Sequence, residues 1–245
     1  MSDPSSTPRS TRAGAALGLL LGGGLVLSAA VLGHALVEVR TADRYVTVRG
    51  LAEREVSADL AVWPIHFSVS GDDLKSVHAS VERASRAVGD YLAEHGFAAN
   101  DLHASPVAIS DLRSRAATEP LTADRYVAEA TLTLRSSRVD AVRAAVSAAE
   151  GLVARGVALR SSYPPGARYF FTGLSAVKPA MIAEATRDAR RAAARFAEDS
   201  GSLVGGIRRA SQGYFTIEDR DPFAPEYKRV RVVATVEYFL ADDPS

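Results

Sequence analysis

The chain has 245 residues, no cysteine, and 29 basic residues against 29 acidic ones. The lack of cysteine excludes disulfides, thiolate catalysis and cysteine-based metal sites, and the neutral balance argues against a strongly polyanionic partner such as nucleic acid. The length suits one large domain or two small ones.

The N-terminal region is predicted to anchor the chain in a membrane. Residues 1–12 are rich in Ser, Pro and Thr and are interpreted as a disordered cytoplasmic tail. Residues 13–37 carry no formal charge, and a helix of that length, at ~1.5 Å per residue, crosses a hydrocarbon core of ~30 Å. We therefore predict a single-pass transmembrane helix at 13–37 in the inner (cytoplasmic) membrane, a linker at 38–44, and an extracytoplasmic domain at 45–241.

A cleaved signal peptide is the alternative interpretation of the same run. Its apolar centre is residues 17–27, followed by small residues suited to cleavage, either Ser28 and Ala30 or Gly33 and Ala35. Cleavage gives a secreted periplasmic form of the same domain. The apolar run continues past both positions, which favours the uncleaved anchor. Arginines lie on both sides of the run, so their count does not set its orientation.

After residue 44 the apolar pattern has a period of two, which predicts strands at 45–57 and 60–70. Trp63, Ile65 and Phe67 alternate toward one face, and His66 points to the other. Pro64 has no amide hydrogen to donate to a sheet, so the second strand is predicted to lie at an edge or to contain a bulge.

A plan of helix, glycine, strand, polar loop and strand then occurs twice, at residues 74–134 and 179–240. The second helix has an alanine-rich face that predicts close packing on a sheet, with Pro179 in its first turn and Gly201 at its end. Neighbouring strands joined by loops predict antiparallel pairing. The predicted fold class is α+β: antiparallel sheets packed by helices, two helix-strand-strand units, preceded by one N-terminal transmembrane helix.

Two segments are candidates for docking a partner: the aromatic stretch at 163–171 and the acidic, proline-containing loop at 218–226. For the aromatic stretch, ordinary packing in a core or an interface is the favoured interpretation.

Evidence for an enzyme is weak. The candidate catalytic residues lie near one end of the first strand pair: Glu53, Glu55, Asp59, His66, Asp72 and Asp73. Their spacing does not force them together, and no nucleophile elbow, phosphate loop or dinucleotide fingerprint is present. Helix capping and solvated strand ends explain these residues better. We therefore predict no enzymatic activity and no catalytic, cofactor-binding or metal site. A hydrolase that uses His66 and nearby carboxylates is the alternative.

Three segments resemble the SIMPL-domain family: RYVTVRGLAEREVSADLAVWPIHFSVSGDDL, KPAMIAEATRDARRAAARFAEDSGSLVGGIRRASQGYFTIEDRD and KRVRVVATVEYFL. The resemblance covers about residues 45–240 and implies an α+β fold that assembles into homo-oligomers. Bacterial members are periplasmic or membrane-anchored, and some are linked to oxidative-stress defence. The family has no established catalytic motif, so no residue roles are transferred. We expect a membrane-anchored, non-enzymatic assembly or binding module that needs no cofactor and is linked to oxidative or envelope stress.

Overall fold

The computed structural model describes residues 22–24, 28, 29, 31, 44–114, 124–160 and 166–242. Most of the predicted anchor at 13–37, almost all of the linker at 38–44 and most of the predicted loop after residue 114 lie outside this set. No helix within the set is long and apolar enough to cross a membrane. The described residues form two compact units. The first unit contains the chain up to Leu51, Glu184–Gly213 and the chain from Val233, and the second contains Ala52–Ala183 and Tyr214–Val232.

The helices and strands follow the predicted alternation. In chain order they are β1 (Tyr45–Ser57), β2 (Leu60–Gly71), α1 (Leu74–Glu94), β3 (Leu102–Ala104), β4 (Ala108–Asp111), β5 (Tyr126–Ser136), α2 (Val139–Ser147), α3 (Glu150–Ala154), β6 (Arg168–Phe170), α4 (Leu174–Asp199), β7 (Ser202–Gln212), β8 (Thr216–Asp219) and β9 (Tyr227–Asp242). Helices and antiparallel strand pairs confirm the α+β class.

The second unit contains a sheet in the order β3-β5-β2-β6, and β4 also pairs with β5. Trp63, Ile65 and Phe67 are buried on one face of β2, as their alternation predicts. They share a core with the buried side of α1, where Val88 and Leu92 are fully enclosed. Gly96 follows α1 with φ of +82°, a left-handed conformation that glycine adopts without a steric penalty. The period-two and period-3.6 patterns therefore identify this core correctly.

The prediction that β2 lies at an edge is wrong, because β5 pairs along one side of β2 and β6 along the other. The missing amide hydrogen of Pro64 is accommodated by where Pro64 lies along the β6 side of β2. On the β6 side, Leu60–Val62 pair with β6, while farther along Ser68 N donates to Ala158 O. Arg160 N donates to His66 O on that same side. Backbone groups two residues apart point the same way in a strand, so the side of Pro64 that lacks an amide hydrogen faces a position between these two sets of bonds, where the described residues give it no strand partner.

The first unit contains parts of β1, β9 and β7, which are neighbours in that order, with β7 antiparallel to β9. Helix α4 covers this sheet with a ridge of small residues, since Ala185, Ala189 and Ala193 are fully buried. The approach is very close at Gly50, where a Cβ atom would stand 1.9 Å from the carbonyl oxygen of Ala185. The predicted close packing of an alanine face on a sheet is confirmed.

Helix α4 begins at Leu174, so Pro179 lies inside the helix rather than in its first turn as expected. Proline at this position removes the hydrogen bond to the carbonyl of residue 175, yet the helix continues to Asp199. The earlier start has a cause outside the helix, the Asp59 side chain described below. Gly201 ends this segment with φ of +62°, as predicted.

The repeated plan is confirmed with one refinement. In each copy the first strand is broken in two: β3 and β4 both pair with β5, and β7 and β8 both pair with β9. The first strand of the second copy is therefore two strands, β7 and β8, and Gly213 at the break donates its N–H to Val233 O over 2.8 Å. The expectation that neighbouring strands pair is wrong for β1 and β2, which belong to different sheets.

Candidate functional site

Asp59, one of the candidate catalytic residues, organises the start of α4. One carboxylate oxygen accepts hydrogen bonds from the backbone N and the hydroxyl of Thr172, at 2.7 and 3.0 Å. The other accepts from Gly173 N at 2.8 Å. Burial opposes ionisation, but these hydrogen bonds together outweigh it and lower the pKa of Asp59 below its ordinary value. The carboxylate is therefore charged and accepts hydrogen bonds from the backbone N–H groups just before α4, as a helix-capping side chain does.

The other four candidate carboxylates also have partners of their own in the second unit. Asp73 is the N-cap of α1 and accepts from Ser76 N at 2.8 Å. Asp72 accepts from Arg113 and from Arg125 N, at 3.0 and 3.2 Å. On β1, Glu53 forms an ion pair with Arg229 at 3.1 Å, and Glu55 lies 3.8 Å from Arg220. Each carboxylate therefore has a charge or capping contact that explains its presence.

His66 contacts a residue of the neighbouring strand. Its Nδ1 lies 2.8 Å from the hydroxyl oxygen of Thr131, the residue directly opposite on β5. Across the described ranges, no group of three or more His, Asp or Glu side chains is arranged to hold a metal ion. The contacts of His66 in these ranges include none of the carboxylates that the hydrolase alternative would use with it.

Strand β7 is the most exposed long strand of the first unit. Among the described residues it pairs with β9 and with no other strand, so it is an edge of its sheet there, and after Ser202 every one of its residues is at least partly exposed. Leu203 and Ile207 are apolar and are 48% and 54% exposed. Register shifts interrupt its pairing on both sides of Ile207. Apolar side chains on an open sheet edge are features of a surface that pairs with another chain, whereas β-bulges twist an edge away and oppose such pairing.

The second unit contains a cleft of about 750 Å³. One wall is the segment around β6, and the other is β8, the loop after it and the beginning of β9. The lining residues are Ala167, Arg168, Tyr169, Phe170, Phe171, Ile217, Asp219, Pro222, Pro225 and Lys228. The two segments selected from the sequence for docking, the aromatic stretch and the acidic loop, therefore face the same cleft. The part of the aromatic stretch at 163–165 lies outside the described residues.

Charged groups in the cleft are unevenly buried. The side chain of Lys228 is only 8% exposed, and its ammonium group donates to Asp219, whose side chain is 52% exposed. These two residues face each other in the register of β8 and β9. Arg168 is exposed and has no ion-pair partner in the parts of the chain that the structure describes. Two cations against one carboxylate leave the lining with one net positive charge.

The loop that forms one wall of the cleft is held in shape by Asp221. Its Oδ1 accepts from the backbone N of Phe223 and of Ala224, both at 2.9 Å. A side-chain hydrogen bond from Arg220, aided by these backbone donors, lowers the pKa of Asp221. On the opposite wall, burial raises the pKa of Tyr169, and the carboxylate of Glu226 adds to the effect. Glu226 itself lies 3.5 Å from Arg143, so its charge is balanced outside the cleft.

Sequence reasoning missed Lys228, although a signal for it was present. Alternation along β9 places Val230 and Val232 on the buried face, and two residues earlier the same face carries Lys228. A lysine in phase with a buried apolar row is unusual, because a buried ammonium needs a partner. The partner, Asp219, is set by the β8–β9 register, which the sequence pattern does not give.

The chain matches one family model, SIMPL, described as "Protein of unknown function (DUF541)", over residues 46–238. No curated protein matches the chain.

Proposed function

The chain belongs to the SIMPL family, and we propose that it is a membrane-anchored, extracytoplasmic protein whose domain assembles into homo-oligomers and catalyses no reaction. In this proposal residues 1–12 are a cytoplasmic tail, 13–37 the anchor in the inner membrane, 38–44 a linker and 45–241 the assembling domain. A link to oxidative or envelope stress is part of the proposal and rests on the resemblance of the chain to stress-related members of the family.

The observation that carries the assembly role is the edge strand β7. In the described part of the chain it lies at an edge of its sheet, and Leu203 and Ile207 present exposed apolar side chains there. A second copy that adds a strand beside β7 would cover these apolar side chains. The alanine face of α4 is already buried against its own sheet and is not available for self-association.

We propose that the protein catalyses no reaction because the candidate catalytic residues already have hydrogen-bond partners. Asp59 and Asp73 are occupied by backbone donors at helix starts, and His66 contacts Thr131. A general acid or base needs a positioned partner and access to substrate, and these side chains are committed to other contacts.

The assembly role is tested by the mass of the full-length chain in detergent, measured by sedimentation equilibrium with the detergent density-matched. We expect more than one copy per particle. Ile207→Lys places a charge on the β7 edge and is expected to give monomers. Val153→Lys is the matched control, because Val153 is an apolar residue of α3 with 59% exposure, and it should leave the mass unchanged. A wild-type monomer at high concentration contradicts assembly, and an oligomer that Ile207→Lys leaves intact contradicts assembly through β7.

A further inference from the structure

The cleft of the second unit has the size and lining of a small-molecule site. Its volume of about 750 Å³ falls within the range of roughly 300–1,000 Å³ that is usual for ligand pockets. Most of its walls are apolar, with Tyr169, Phe170 and Phe171 on one side and Ile217, Pro222 and Pro225 on the other. Ligand pockets typically combine such walls with a few polar groups that fix orientation.

Lys228 supplies one such polar group. An ammonium group has three N–H donors, and only the contact with Asp219 is present in the described part of the chain. A side chain that is 8% exposed has little access to water for the remaining donors. An acceptor inside the cleft would complete the set of hydrogen bonds of a buried cation.

Arg168 supplies a second cation from the opposite wall. It is exposed, it lines the cleft, and no carboxylate in the described ranges pairs with it. Arg168, Lys228 and Asp219 together give the cleft lining one net positive charge, which a ligand with a single negative charge would neutralise. A guanidinium group also binds a carboxylate with two parallel hydrogen bonds.

We propose that this cleft binds a small aromatic monocarboxylate, whose carboxylate lies between Arg168 and Lys228 and whose ring lies against the aromatic and proline walls. The charge of the lining selects a monoanion over a phosphate dianion, for which one positive charge is too little. This binding role goes beyond assembly and involves no residue of β7.

The proposal is tested by equilibrium dialysis of radiolabelled hydrocinnamate against the full-length protein in detergent. Uptake by protein-free detergent is measured in parallel and subtracted. The neutral amide of the same molecule, hydrocinnamamide, has the same ring and nearly the same size and is the matched ligand control. We expect the acid to bind at least about tenfold more tightly than the amide, since a charged hydrogen bond contributes ~1.5–3 kcal/mol and ~1.4 kcal/mol is a factor of ten.

Two variants locate the site. Lys228→Met removes the buried charge at similar volume and is expected to weaken hydrocinnamate binding about tenfold or more. Because this variant also frees Asp219, Arg168→Gln provides a second test at an exposed side chain that has no role in the core, with an expected loss of about fivefold. Arg190→Gln, an exposed arginine on the first-unit part of α4, is the control and should bind as the wild type.

Equal binding of the acid and the amide would overturn the proposal, and so would wild-type binding by both cleft variants. No binding of hydrocinnamate up to about 10 mM would also overturn it, because a binding free energy of only ~3 kcal/mol is detectable at that concentration. None of these results bears on the oligomeric mass that the proposed sedimentation experiment would measure, so failure of the ligand site and failure of the assembly role are separate outcomes.

Discussion

Replacing Gly50 by alanine tests how closely α4 packs on its sheet. The new Cβ atom would lie 1.9 Å from Ala185 O, 2.3 Å from Ala189 N and 2.9 Å from Ala189 Cα. Real Cβ atoms essentially never approach closer than 3.0 Å, so the helix must retreat by about 1.1 Å. All three atoms belong to the helix backbone, and no side chain can rotate away to make room.

The retreat weakens the contacts of the whole alanine ridge. A gap of roughly 1 Å forfeits a quarter to a half of the dispersion energy of each contact, and overpacking costs ~1–3 kcal/mol. Because the obstruction is backbone, we expect the upper end, about 3 kcal/mol, for Gly50→Ala. At about 2–4 °C per kcal/mol for a chain of this size, the melting temperature should fall by about 6–12 °C.

The assay is thermal unfolding of the full-length protein, followed by far-ultraviolet circular dichroism in one detergent. Gly89→Ala is the matched control, since Gly89 lies in α1 and a Cβ there meets nothing within 4 Å. That substitution should stabilise the protein by about 0.5–1 kcal/mol, because alanine is the better helix former. A Gly50→Ala protein that melts within about 2 °C of the wild type would refute the close approach of α4 to β1.

Other substitutions test the contacts around the candidate residues. Asp59→Ala should lower the free energy of unfolding by about 2 kcal/mol at neutral pH, since charged hydrogen bonds to Thr172 and Gly173 are lost. The pKa of Asp59 is lowered in the folded protein, so the stability that its charge contributes is present above the unfolded pKa of about 3.9 and is lost as the pH falls through the lower folded pKa. Urea titrations of the wild type and of Asp59→Ala at neutral pH and near pH 2.5 should therefore show a smaller difference in unfolding free energy at the lower pH. An equal difference at both pH values would contradict this role of Asp59. Tyr91→Phe should cost about 1–2 kcal/mol in the same urea assay, because the buried hydroxyl donates to Ala145 O at 2.6 Å; a wild-type midpoint would show that this bond contributes nothing. His66→Ala should leave the oligomeric mass unchanged, and a change would place His66 in the assembly surface.

Local patterns predicted the parts of the fold that depend on neighbouring residues. The period of two in β2 and the glycine after α1 are consequences of backbone geometry, and the structure agrees with both. The alanine ridge of α4 likewise predicted a close approach to a sheet. Its exact partner, Gly50, lies far away in the chain, and no local pattern pointed to it.

Contacts between distant segments account for what the sequence did not reveal. The start of α4 is set by Asp59, more than a hundred residues earlier, so the local proline signal at residue 179 was misleading. Pro64 is tolerated inside a sheet because, among the described residues, the strand pairing on one side does not include it, which is a property of the tertiary fold. The cleft depends on the β8–β9 register and on the position of β6, and neither follows from residue types alone.

The most direct test of an anchored assembly module is native mass spectrometry of the tagged protein recovered from the membrane fraction, which measures both the length of each chain and the number of copies. We expect the uncleaved chain, released only by detergent and present in more than one copy. A soluble product that begins near Val31 or residue 36 would contradict the anchor, and a single copy of the full chain would contradict the assembly.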